Sequence, residues 1–202
     1  MNTYEFHFDF GSPNAYLSHC VIPEIEARTG VTIDYVPVLL GGVFKATNNV
    51  SPMVSMQGIK NKSEYSSLET ARFLKKHDIT QFKMNPFFPV NTLHIMRTAV
   101  AAQLEGVADA YIKAIYHNMW VEPKKMDEIE IILSVLKDAG LDGEKLIALA
   151  QGADVKAKLI ENTSVSVERG NFGSPTFFVN NEMFFGKNAL PDFEEAILAS
   201  NP

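Results

Sequence analysis

Residues 6–20 read FHFDFGSPNAYLSHC, and the reading of this stretch decides the fold. An aromatic, alternating run ends in Asp9, and Gly11, Ser12 and Pro13 follow. Ala15, Tyr16, Leu17, Cys20 and Val21 then recur at helical spacing. Such a pattern predicts a strand that turns sharply into a helix, with Pro13 at a favoured first-turn position and Gly30 as the stop near Thr29. Pro23 is expected to kink that helix. The stretch VTIDYVPVLL (31–40) reads as a second strand, so the order strand, helix, strand implies a right-handed parallel crossover.

Between Gly41 and Gly152 the texture is helical, broken by Pro, Gly and Asn. Segments 63–78, 91–106, 107–120 and 126–140 carry apolar residues at helical spacing, with Asp127 as a plausible cap and Gly106 and Gly140 as stops. Helices over 143–150 and 154–168 follow. After RGNFG (169–173) the period returns to two, and SPTFFVNNEMFFG reads as a hairpin with an Asn180-Asn181 turn. LPDFEEAILAS closes the chain as a short helix.

The 202 residues are 46% apolar and 21% charged, an ordinary globular composition. A net charge of -6 argues against a general binder of nucleic acid or anionic membrane, since both favour a basic surface. No signal peptide and no membrane span is expected, which makes the cytoplasm the default location. Cys20 is the one cysteine. It excludes an intramolecular disulfide and reads as a small buried hydrophobe. No spacing of His, Cys, Asp or Glu suggests a metal site, and no glycine-rich phosphate loop occurs.

The order βαβ, helical block, ββα, with Ser-Pro after strand one and again before strand three, resembles the thioredoxin fold with a large α-helical insertion. The fold class this resemblance implies is α/β, of the DsbA and kappa-class transferase type. On this reading residues 1–40 and 153–202 form the thioredoxin-like domain and 41–152 the inserted helical domain. FDFGSP (8–13), FKATNNVSP (44–52), FFPVN (87–91), Trp120, FGSPTFFV (172–179) and FFGKNAL (184–190) carry a closer resemblance. They point to the branch holding the 2-hydroxychromene-2-carboxylate isomerases and the kappa-class glutathione transferases.

That resemblance implies a set of expectations. Ser12, Pro13, Asn14 and Ala15 stand where redox members carry Cys-x-x-Cys, so disulfide exchange is not expected. Ser12 matches the serine that holds the glutathione thiolate. Ser174 and a cis Pro175 would grip the cysteinyl part of the tripeptide by their backbone. Phe185, Gly186, Lys187 and Asn188 would form the turn beside glutathione, with Asn188 also capping the last helix, although Lys187-Asn188-Ala189 replaces the branch's acidic residue and Arg. Lys45, Asn49, Asn91 and Trp120 are candidates for binding an aromatic substrate, and Asn91 alternatively caps the helix it precedes. The implied activity is glutathione-dependent cis-trans isomerisation of an aromatic α-keto acid, in a homodimer. Conjugation by a kappa-like transferase, or thiol binding without turnover, are the alternatives.

Overall fold

The computed structural model describes residues 2–200. The opening stretch forms β1 (Tyr4–Phe8) and α1 (Pro13–Thr29). Gly30 ends α1 at φ 72, and its N–H donates to the Glu26 carbonyl. β2 (Asp34–Pro37) pairs with β1 in parallel, as the crossover requires. The hairpin of β3 (Thr176–Val179) and β4 (Glu182–Phe185) joins the other side of β1, both pairings being antiparallel. The resulting four-stranded sheet has the order β2-β1-β3-β4.

Helices α2 (Leu40–Thr47), α3 (Pro52–Ser55), α4 (Lys62–Lys76), α5 (Leu93–Leu104), α6 (Ala108–Trp120), α7 (Ile129–Asp138) and α8 (Gly143–Ala150) lie between β2 and the long α9 (Ala153–Glu168). A short 3-10 turn (Lys187–Ala189) leads into α10 (Leu190–Ser200). Phe6, Phe8 and Phe10 from the first strand and its turn, Phe177 from β3, Phe193 from α10 and Tyr111, Tyr116 and Trp120 from α6 are all fully buried in one continuous core. Among the described residues no helix is long and apolar enough to cross a membrane.

Two expectations need correction. The second strand stops at Pro37 and does not run to Leu40, because Leu40 begins α2 and donates its N–H to the Asp9 carboxylate at 2.8 Å. Asp127 does not cap α7: the cap position is Glu128, without a side-chain bond, and Asp127 instead faces Lys125 at 3.9 Å.

Candidate active site

Ser12 is extended (φ -91, ψ 114) and caps α1, accepting the Ala15 N–H on Oγ at 3.2 Å. Its hydroxyl donates to the Ser174 carbonyl at 2.8 Å. The Ser12-Pro13 and Ser174-Pro175 motifs, 162 residues apart, therefore meet. The Ser174-Pro175 peptide is cis, as the resemblance implied; Phe88-Pro89 is also cis. Ser174 is stitched back to the first turn, since its Oγ accepts the Asp9 N–H at 3.2 Å.

Asp9, which the sequence reading passed over, anchors this turn from inside. Its Oδ1 accepts the Gly11 N–H at 2.8 Å, and its Oδ2 accepts the Leu40 N–H at 2.8 Å and the Thr92 hydroxyl at 3.1 Å. One fully buried carboxylate thus ties β1 to the starts of α2 and α5. Burial pushes the Asp9 carboxyl above its ordinary pKa against these three bonds. Gly11 must lack a side chain here, because a Cβ would sit 2.9 Å from Thr92 Cγ2. Trp120 supports the turn from beneath: its indole N–H donates to the Phe10 carbonyl at 2.9 Å. At 0% exposure it offers no face to a substrate, contrary to its expected role.

The rim is built by residues flanking Ser174. Phe172 and Phe185 pack with ring centroids 4.2 Å apart and planes tilted by 39°, yet are 39% and 42% exposed. Gly173 passes beneath them, where a Cβ would stand 2.8 Å from the Phe185 ring. The Asn49 amide donates to the Phe172 carbonyl at 2.8 Å, which ties the loop after α2 to this rim. Gly186, at φ 85, returns its N–H to the Pro175 carbonyl. Lys45, on α2, is exposed and makes no salt bridge among the described residues. Asn91 stands one residue ahead of the α5 cap position, which is Thr92, and accepts the Leu93 N–H at 3.1 Å.

Lys187 and Asn188 do something else than expected. The Lys187 ammonium is buried, and the Glu69 carboxylate holds it at 2.7 and 2.6 Å. Asn188 donates to the same carboxylate at 2.8 Å. Cys20 is half-buried, and burial pushes its thiol up from the ordinary value.

The α1 N-terminus retains an anion-binding character. Pro13 brings no N–H and Ser12 takes that of Ala15, which leaves the Asn14 N–H as the first-turn donor without an intrahelical acceptor. A hydroxyl that rotates away from a neutral carbonyl gives up about 1 kcal/mol, and a charge-assisted bond to an anion returns about 1.5–3 kcal/mol. The site therefore fits a thiolate brought by a ligand.

Fold and site define a thioredoxin-fold protein in which a serine at the start of α1 faces a cis-proline loop. The chain belongs to the DSBA-like thioredoxin domain family, whose model matches residues 3–198. It is 27% identical over 199 residues to a 2-hydroxychromene-2-carboxylate isomerase of Sphingobium xenophagum, covering 97% of each chain. Identity to glutathione S-transferase kappa 1 of Caenorhabditis elegans is 26%, over 91% of this chain and 85% of the relative. The solved structure of a 2-hydroxychromene-2-carboxylate isomerase superposes with a TM-score of 0.82 at 26% identity, over 96% of this chain and 94% of that one. DsbA of Pseudomonas aeruginosa, at 16% identity, shares the fold with a TM-score of 0.61 over 99% of this chain and 83% of its own.

Proposed function

We propose that the protein is a glutathione-dependent cis-trans isomerase acting on an aromatic α-keto acid of the 2-hydroxychromene-2-carboxylate type. One observation carries this reading: Ser12, at the start of α1, meets the Ser174-Pro175 loop where redox relatives of the fold place a thiol. Two relatives that match over most of the chain bear the isomerase name and the glutathione transferase name.

When bound, glutathione would supply a thiolate for reversible addition to the conjugated double bond, the chemistry that lets that bond rotate, and Ser12 and the Ser174-Pro175 loop would hold it. Ser12 turns its hydroxyl from the Ser174 carbonyl to the sulfur, and the α1 dipole and the Asn14 N–H reinforce it. A free thiol near pKa 8.5 is only about 3% ionised at pH 7, and one charge-assisted bond lowers that pKa by roughly one to two units. Ser174 holds the cysteinyl backbone. Phe172 and Phe185 give an aromatic substrate an apolar rim, and Lys45 is the cation for its carboxylate. Cytoplasmic location and a homodimer complete the proposal.

The test is the product spectrum of a hydroxybenzylidene pyruvate mixed with protein, with and without glutathione. A shift to the cyclic hemiketal that requires glutathione, and that falls about a hundredfold in Ser12→Ala, is expected. Isomerisation at the same rate without glutathione, or by Ser12→Ala, would overturn it. Accumulation of a product that keeps the sulfur would favour the transferase alternative.

A further inference from the structure

His7 lies on β1, opposite Thr176 of β3 in the sheet register, and is only 2% exposed. Its Nδ1 is 2.8 Å from the Ser166 hydroxyl of α9. Ser166 Oγ also receives the Asn171 amide at 2.7 Å. Asn171 Oδ1 accepts the Gly173 N–H at 2.8 Å and the Thr176 hydroxyl at 2.9 Å. Ser166, Asn171 and Thr176 are all at most 1% exposed. The residues Asn171 fastens, Gly173 and Thr176, bracket Ser174 and Pro175.

The protons in this chain have fixed places. A backbone N–H at Gly173 needs an oxygen, which sets the Asn171 amide with its NH2 toward Ser166. Ser166 therefore accepts from Asn171 and gives its own proton to His7 Nδ1. His7 is then the neutral tautomer with its hydrogen on Nε2. Among the described residues that nitrogen is buried without a hydrogen-bond partner, 3.9 Å from Glu5 Oε2, beside a cavity of about 370 Å³.

We propose that His7 is a positioning residue: through Ser166 and Asn171 its neutral ring braces the Gly173–Thr176 loop and so holds the Ser174 carbonyl against Ser12. In treating Ser174 as part of a thiol site, the proposal rests on the function proposed above. A proton on Nδ1 would reverse the first bond, leaving two donors aimed at Ser166 Oγ and the serine proton without its acceptor. The groups facing His7 are Glu5 of β1, which draws a proton, Arg169 after α9, which repels it, and Tyr35 of β2, with Lys158 and Glu161 of α9 on the cavity wall. Burial lowers the His7 pKa, which keeps the brace in its neutral form at pH 7.

The test begins with the protein alone, free of glutathione. In an NMR pH titration the Gly173, Ser174 and Thr176 amide signals should move with the same midpoint as the His7 ring. His7→Gln should remove that movement, and Ser166→Ala should uncouple the loop from a ring that still titrates. Loop amides that stay still while His7 titrates would overturn the proposal. So would a ring that stays neutral down to acid unfolding, or a loop that keeps its midpoint in His7→Gln. Because no ligand is present, these results stand apart from the isomerase assay. In that assay, His7→Gln should lower kcat/KM about tenfold at pH 7 and flatten the acid limb of its pH profile.

Discussion

The Lys187 ammonium and the Glu69 carboxylate, 118 residues apart in sequence, form a two-pronged ion pair that joins α4 to the turn before α10. The ammonium is 5% exposed and also lies 5.3 Å from the Phe73 ring, so it has left water almost completely. A buried cation stripped of its partner costs more than the pair itself contributes. Glu69→Ala is therefore expected to destabilise the protein by about 1–3 kcal/mol, and Lys187→Met, which removes the charge, by less. Urea unfolding checks the order; a Lys187→Met variant less stable than Glu69→Ala would contradict it.

The Asp9 carboxylate leads to a second prediction. Its removal leaves the Gly11 and Leu40 N–H groups and the Thr92 hydroxyl without their acceptor around an empty space. Asp9→Ala should cost about 2–4 kcal/mol, from unpaired buried donors and the cavity together. Because those bonds position Ser12's turn, turnover should fall even in the fraction that is folded. Circular dichroism melts and activity per folded molecule separate the two effects; an unaltered melt would show that the carboxylate anchors nothing.

Asp9 also shows what a sequence discloses of this site and what it withholds. The strand, turn and helix around Ser12 were legible because each follows from local chemistry: alternation, Pro13 in the first helical turn, Gly30 in the left-handed region. The hairpin and its Asn180-Asn181 turn were legible for the same reason. Asp9 is not, because an acid that follows a strand two residues before a glycine looks like a solvated turn until Leu40 and Thr92 arrive from distant segments. Lys187 reads as an open turn residue for the same reason, its partner Glu69 lying outside any local window. Trp120 was misplaced because an aromatic residue's type does not say which side of a core it faces. The second strand was drawn too long because VPVLL is equally apolar as a strand or as the start of α2.

Ser12→Cys tests the electrostatics of the α1 terminus without any ligand. A thiolate there would sit by the Asn14 N–H and the positive end of a 17-residue helix, both of which favour the ionised form. Cys20 has the opposite setting, its thiol pushed up by burial. Titration with a thiol reagent at pH 7 should show slow labelling of Cys20 in the natural protein and a new fast phase in Ser12→Cys. Equal rates for the two thiols would mean that the helix terminus exerts no useful field on residue 12.

His19 makes the stability of the fold depend on pH in a predictable direction. Its Nδ1 is 2.8 Å from the Tyr35 hydroxyl and its ring stacks on Tyr116 at 4.7 Å, so burial lowers its pKa from 6.5 to about 4. The unfolded chain then binds more protons than the folded one between these values, and stability falls as pH drops through the window. His19 should account for about 1–3 kcal/mol of that fall, less than the full shift implies because its ring edge remains partly wetted. Glu5 acts in a lower window, since His7 and Arg169 hold its carboxylate down to about 2 against the opposing effect of burial. Urea unfolding of His19→Gln at a series of pH values isolates the histidine: the difference from the natural protein should shrink as pH falls from 7 to 4. A difference that stays constant across that range would show that the ring carries the same charge in both states.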